Sequence, residues 1–290
     1  MGIPNILSLA LGLIVFSFLI TSVLVVPFID LLYKVNLLRR KEGSERGRKS
    51  LFDKLHDKKA GTPIGGGVLI ILVVTFGLRR FQKFILQWIL AFITAFLLYK
   101  TLGIHILHIP LLDKTIDLGF WYVPFAALLI VTFTNAYNIT DGLDGLAGGL
   151  LMIFLIAFGV IAATSLDTPL WLFIALWLGA LMAFLYFNIW PARIFLGDAG
   201  ALSFGATIAA IGLLTGNISA LLVIGAIFLI EIISSAIQMF GWRVLKKPIF
   251  PLAPIHHTFL AIGWEEPKIV MRAWLAGIVL AIFGLWLATI

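Results

Sequence analysis

Four short clusters in this chain hold residue types that can do chemistry. The first is Asn135-Ala-Tyr-Asn-Ile-Thr-Asp-Gly-Leu-Asp-Gly-Leu-Ala-Gly-Gly149, which sets Asn138, Asp141 and Asp144 among glycines at the end of an apolar run. Asp, Asn and Gly also punctuate helix ends, and either aspartate could be a helix N-cap. Capping accounts for one carboxylate but poorly for two and an amide, so the spacing points to a metal or polar ligand. The second cluster, Asn188-Ile-Trp-Pro-Ala-Arg-Ile-Phe-Leu-Gly-Asp-Ala-Gly200, carries Asn188, Phe195 and Asp198. Mg²⁺ takes one or two carboxylates together with waters and substrate phosphates. Asp198 is therefore a candidate metal ligand as well as a candidate cap. Phe195 could be a platform for a base or a lipid-facing ring. The third cluster, Pro254-Ile-His-His-Thr258, offers His256 and His257 to a phosphate or as orienting groups. The fourth, Lys58-Lys59-Ala-Gly-Thr-Pro-Ile-Gly-Gly-Gly67, places Lys59 before a glycine-rich turn whose amides can cradle an anion. It lacks the Gly-x-x-x-x-Gly-Lys-Ser/Thr phosphate loop. Glu231 stands apart, inside an apolar run, with Ser235 and Gln238 at i+4 and i+7. It reads as polar glue between helices, although ionisable groups at such depth are often functional.

The elements that must position these residues are membrane helices. The hydrophobic fraction is 61% and the mean hydropathy +1.10, against about 45–50% apolar residues in soluble domains. A core cannot absorb that much apolar surface at 290 residues, so lipid is the expected solvent. Cysteine is absent, which excludes disulfides and thiolate metal sites. The net charge of +7 does not point to nucleic acid, because ten of the 21 Lys and Arg residues lie between Lys34 and Lys59. That is the signature of a cytoplasmic loop.

The expected fold is an all-α polytopic membrane protein, one domain over 1–290, with nine spans at roughly 6–29, 62–78, 82–102, 119–136, 145–163, 170–189, 199–215, 219–242 and 271–289. The first is read as a retained helix, not a signal peptide. Segment 103–118, alternating and broken by Pro110, is expected to form a small hairpin on the far face. Positive-inside counting forward from the 34–59 loop puts Arg79, Arg80 and Lys83 outside. Counting back from Arg243, Lys246, Lys247, Lys268 and Arg272 puts them inside. The two counts differ by one crossing. On the second, all four clusters meet on the cytoplasmic face.

In order and content the clusters resemble the polyprenyl-phosphate N-acetylhexosamine-1-phosphate transferases, and within them the phospho-N-acetylmuramoyl-pentapeptide transferase branch. The resemblance rests on residues 58–66, 135–147, Phe195-Leu-Gly-Asp-Ala-Gly200, Ala253-Pro-Ile-His-His-Thr-Phe259 and Gly263-Trp-Glu-Glu-Pro-Lys-Ile-Val-Met-Arg272, and runs from about residue 20 to the C-terminus. It implies an inner-membrane enzyme with ten spans that transfers phospho-MurNAc-pentapeptide from UDP to undecaprenyl phosphate. The products are lipid I and UMP, Mg²⁺ is the cofactor, and the step belongs to peptidoglycan synthesis. Carried onto matching positions, it implies that Asp198 ligates Mg²⁺ and that Asp141 and Asp144 line the nucleotide and metal pocket near Asn138. Phe195 would stack on uracil. Asn188, Lys59, His256 and His257 would contact the nucleotide or its phosphates. Dimers are common in the family, and no residue here decides the point.

The chain departs from the family pattern in one large respect. The family carries Phe-x-Asp-Asp-Tyr after the span that follows the Gly-Gly segment, and this chain has no adjacent aspartates. Its sequence passes from Val73-Val-Thr-Phe-Gly-Leu78 directly to Arg79-Arg-Phe-Gln-Lys83, so one helix is missing near 77–80, where the two charge counts also disagree. Smaller departures are Ile64, Thr258 and Leu260, where the family has Thr, a third His and Glu. Three alternatives stay open: a related UDP-N-acetylhexosamine transferase, a binding-only membrane protein, and a transporter with a site near Glu231.

Overall fold

The computed structural model describes residues 3–34, 80–165 and 167–290. Among them are α1 (Ile3–Lys34), α2 (Arg80–Leu102), a hairpin of β1 (Ile106–Ile109) and β2 (Lys114–Asp117), α3 (Tyr122–Thr140), α4 (Leu146–Thr164) and α5 (Thr168–Asn188). Then follow α6 (Gly197–Leu214), α7 (Ile218–Ile224), α8 (Ala226–Phe240), α9 (Ile255–Ala261) and α10 (Glu266–Thr289). Eight helices among the described residues are long and apolar enough to cross a membrane. The expected span at 62–78 lies outside the described residues, as does Lys59.

Two boundaries differ from the sequence reading. The expected 219–242 span breaks at Gly225 into α7 and α8. A Cβ at Gly225 would stand 2.5 Å from Cε1 of Phe133, so the bend lets α3 come in close. The last span begins at Glu266 instead of 271. Glu265 is extended and Pro267 sits in the first turn, where a missing N–H costs nothing.

Helices in lipid gain little from the hydrophobic effect and depend on close contact at small residues. The α3–α6 pair shows this: a Cβ at Gly205 would lie 2.3 Å from the Phe133 carbonyl. Helix α4 runs through the middle, with Phe154 and Phe158 stacked at 4.4 Å and both fully buried. On α3, Tyr137 packs against Phe228 and Phe204, with centroids 5.5 and 5.8 Å apart. Asn135 donates to Gln87 Oε1 at 2.9 Å and fastens α3 to α2.

The hairpin forms as expected, with Ile106 opposite Asp117 and Ile109 opposite Lys114. Asp113, in the left-handed region at φ 47°, makes the turn. The Asp117 carboxylate accepts from the Gly119 amide and pairs with His105, both at 2.8 Å. These contacts, the amide first, hold its carboxyl below the ordinary aspartate value of 3.8.

The C-terminal ends of α3 and α5 and the N-terminal ends of α4, α6 and α10 meet opposite the hairpin. Lys83, near the start of α2, reaches Asp198 at the start of α6 with an Nζ–Oδ2 distance of 3.3 Å. The start of α2 is therefore on the site's side, which decides between the two crossing counts in favour of the second for Lys83. Helix α1 runs against an expectation common to both counts, that the chain leaves the first span on the site's side. Ser17 donates to the Leu176 carbonyl, and the Ile14 carbonyl lies against Gly179, so α1 is antiparallel to α5. Its Lys34 end points away from Asn188 and the site, because the two contacts together fix its direction. The loop beyond Lys34 lies outside the described residues.

Candidate functional site

The Asn135–Gly149 run ends one helix and begins another. Asn138 is half-buried in the last turn of α3. Asp141 is its C-cap, with its amide on the Tyr137 carbonyl at 3.0 Å. Gly142 turns back onto the Thr140 carbonyl at 2.8 Å. Gly145, at φ 77°, then starts α4. Here a left-handed conformation is required, and glycine supplies it without strain.

Asp144 faces inward and is 3% exposed. Its Oδ2 accepts from the Ala192 amide at 2.9 Å, and its own amide donates to Glu266 Oε1 at 2.6 Å. One residue thus joins the α3–α4 turn to the α5–α6 loop through its carboxylate and to the start of α10 through its amide. Asn188, 1% exposed, donates from Nδ2 to the Ile194 carbonyl at 2.9 Å. The structure therefore gives Asp144 and Asn188 work in shaping the loop that presents Phe195. Phe195 itself is buried just before Gly197, which has φ 74°.

Asp198 occupies the first turn of α6 and is exposed, its side chain at 66%. A carboxylate there is favoured by the amides and dipole of the helix N-terminus. Its ion pair with Lys83 was not foreseen; the only signal for it was the positive-inside placement of Lys83. Among the described residues, no three His, Asp or Glu side chains gather closely enough to hold a metal by themselves. Mg²⁺ does not need such a cage, since one or two carboxylates suffice when substrate phosphates complete its shell. Asp198 at the start of α6 and Asp141 at the C-terminus of α3 are carboxylates of the type such a shell takes.

The His256–His257 pair lies at the start of α9, both rings buried and with centroids 4.1 Å apart. A Cβ on Gly142 would fall 2.5 Å from Nε2 of His256. The histidine cluster is therefore packed directly on the Asp141–Asp144 turn, which brings the first and third clusters together. On its other side His256 Nδ1 meets Glu231 Oε2 at 2.9 Å. Glu231, read from sequence as polar glue, is the buried partner of a site histidine. Thr258, in the third-His position, donates to the Leu252 carbonyl and closes the loop. Nearby, Lys268 and Arg272 lie over the Trp264 ring at 5.1 and 4.4 Å, a cation–π arrangement.

A bundle of apolar helices with acidic, amide, imidazole and cationic groups collected at one end defines a polytopic membrane protein with a polar site at the membrane border. Residues 67–216 match the family model described as glycosyl transferase family 4. A phospho-N-acetylmuramoyl-pentapeptide-transferase of Acetivibrio thermocellus is 35% identical over 273 residues, covering 80% of this chain and 83% of its own. One of the same name from Caldicellulosiruptor bescii is 31% identical over 315 residues, covering 94% and 95%. A third, from Clostridioides difficile, is 38% identical over 216 residues, covering 74% and 67%. The chain belongs to glycosyl transferase family 4 and, within it, to the phospho-N-acetylmuramoyl-pentapeptide-transferases.

The lengths of these matches bear on the expected gap near 77–80. The Caldicellulosiruptor match spans 315 positions, yet 94% of 290 residues is only about 273. The Acetivibrio match spans 273, and 80% of 290 is about 232. Each leaves about 41 or 42 positions in excess of the residues this chain supplies. That is the length of one membrane helix, ~20 residues, with a loop of similar length. The Clostridioides match shows no such excess, 216 positions against about 215 residues.

Proposed function

We propose that this membrane transferase moves phospho-MurNAc-pentapeptide from UDP-MurNAc-pentapeptide to undecaprenyl phosphate, forming lipid I and UMP. The observation that carries the reading is the packing of His256 onto the Asp141–Asp144 turn, in a chain whose relatives bear that transferase's name. An oxygen of the lipid phosphate attacks the phosphorus attached to the sugar. The bond from that phosphorus to the oxygen bridging to the uridylyl phosphate breaks, and UMP leaves with the electron pair. Such transfers depend on positioning and charge neutralisation more than on covalent help.

Phe195 would stack on uracil, with Asn138 and Asp141 lining the same pocket, as the family resemblance implies. Asp144 and Asn188 hold the loop that carries Phe195. Asp198 is the proposed Mg²⁺ ligand, and Mg²⁺, when bound, offsets charge on the diphosphate oxygens. His256, His257 and Lys83 supply further positive or donor groups. Lys59 would contact the nucleotide, as the family resemblance implies. The lipid phosphate is already mostly ionised near pH 7, its second pKa being ~6. Transfer can thus proceed without the paired aspartates of the family pattern. The family resemblance implies a cytoplasm-facing site in the bacterial inner membrane; Lys83, Lys268 and Arg272 at the site end fit the positive-inside bias, whereas the Lys34 end of α1 lies at the opposite face.

The test uses the full chain in lipid vesicles with both substrates. UMP release is expected to need magnesium, stop with chelator and be lost in Asp198→Ala. Unchanged turnover in Asp198→Ala would remove that residue from the metal role. Tight nucleotide binding without UMP release favours the binding-only reading, to which the missing interval of about 40 residues lends support.

A further inference from the structure

Helix α8 turns one polar stripe towards the loop that carries the histidines. Gln238 accepts from the amides of Ile249 and Phe250, at 3.0 and 2.9 Å, and donates to the Phe250 carbonyl at 2.9 Å. Ser234 donates to the Glu231 carbonyl at 2.8 Å and accepts from the Ile255 amide at 3.0 Å. Glu231 Oε2 faces both the amide of His256, at 3.4 Å, and its ring Nδ1, at 2.9 Å. Helix α9 starts after Pro254 without a side-chain cap of its own, so α8 satisfies its first amides from outside. The side chains of Glu231 and His256 are 4% and 1% exposed. A carboxylate buried this deeply is costly unless paired. Packing alone would be served by an apolar residue at 231.

A carboxylate accepts only, so the atom facing it must carry a proton. The hydrogen bond at one ring nitrogen of histidine decides what the other can do. Here Nδ1–H donates to Glu231. Nε2 is then the ring atom turned to the Asp141–Gly142 turn, and among the described residues it meets no hydrogen-bond partner. We propose that Glu231 is a positioning residue: through Nδ1 it fixes the tautomer and orientation of His256, so that Nε2 faces the Asp141–Gly142 turn as the nitrogen that takes up a proton and, once protonated, donates to a phosphate oxygen of the bound substrate. The inference rests on the transferase reading for its catalytic consequence, but the protonation pattern of His256 can be tested without turnover.

Two measurements on the full chain in lipid decide it. In ¹⁵N-histidine-labelled protein, with His256 assigned by His256→Ala, the Nδ1 of His256 should be protonated. In Glu231→Ala the proton should move to Nε2. A wild-type His256 with bare Nδ1 would overturn the proposal. By kinetics, Glu231→Ala should lower kcat by about 10- to 100-fold, the scale seen when a group orienting a histidine is removed. Glu231→Gln, whose amide oxygen still accepts from Nδ1–H, should recover most of that loss. In a His256→Ala background, Glu231→Ala should change kcat by less than about twofold, because residues acting through one another are not additive. An undiminished effect of Glu231→Ala in that background would show a merely structural role and refute the assignment. Absence of turnover in the wild type would defeat the transferase reading, while the nitrogen spectrum would still decide the role of Glu231.

Discussion

Gly142→Ala is the substitution that most directly probes the junction of the two clusters. The added Cβ would stand 2.5 Å from Nε2 and 3.1 Å from Cε1 of His256. Ordinary contact begins near 3.4 Å, so the ring must retreat by roughly 1 Å. It has little room. The residue is 1% exposed, Nδ1 is held by Glu231 at 2.9 Å, and His257 stands behind with its centroid at 4.1 Å. Overpacking of this kind costs ~1–3 kcal/mol, which a bundle of this size can survive. A shift of ~1 Å in a positioning group can cost ~10²-fold in rate. We expect Gly142→Ala to fold, to melt a few degrees lower and to release UMP about 100-fold more slowly. The assay is UMP release in vesicles beside thermal unfolding of the same preparation. Gly12→Ala is the control, since a Cβ there meets nothing within 4 Å. Gly142→Ala with full activity and unchanged melting would refute the packing of His256 on this turn.

Other consequences follow from particular contacts. Asn188→Ala leaves the buried Ile194 carbonyl without its donor, which should cost ~1–3 kcal/mol, read as a fall in melting temperature and weaker nucleotide binding; an unchanged melting curve would contradict it. Lys83→Ala frees Asp198 from its ion pair. Exposed pairs are worth ~0.2–1 kcal/mol, so half-activation by magnesium should fall by at most about fivefold, and a rise would count against competition at Asp198. The Asp117 carboxyl is held below 3.8, by the Gly119 amide and then by His105. Its folded-state value is depressed, so the stabilisation is fully present above 3.8 and is lost as pH falls through the lower folded value. Carboxyl NMR should show its midpoint below 3.8 in the wild type, shifting upwards in His105→Ala; a midpoint above 3.8 would contradict the contact.

Periodicity and length made most of the bundle legible in advance. Apolar runs of ~20 residues specify a membrane helix almost without regard to neighbours, and the alternation around Pro110 was enough for the hairpin. Boundaries that depend on partners were not legible. The break at Gly225 is set by Phe133, 92 positions earlier. The direction of α1 is set by its contacts with Leu176 and Gly179, which no loop charge reveals. In the site, residue type alone did not separate exposed from buried carboxylates. Asp144 and Asn188 read from sequence only as ligands, and the structure adds that both side chains hold the loop backbone. The stripe on α8 was anticipated as Glu231, Ser235 and Gln238, whereas the serine bonded to the histidine segment is Ser234, at i+3. Glu231 could not be valued from sequence, because its partner is 25 residues away.

Phosphoryl transfer by this chain has to proceed without the roughly 40 positions by which the matches to two of its relatives exceed it. The direct measurement is the ratio of UMP released to lipid-linked phospho-MurNAc-pentapeptide formed, in vesicles holding purified protein, both substrates and magnesium. A one-to-one ratio is expected, with no UMP when undecaprenyl phosphate is left out. Saturable binding of the UDP-linked substrate, with neither UMP nor lipid product formed, would contradict it.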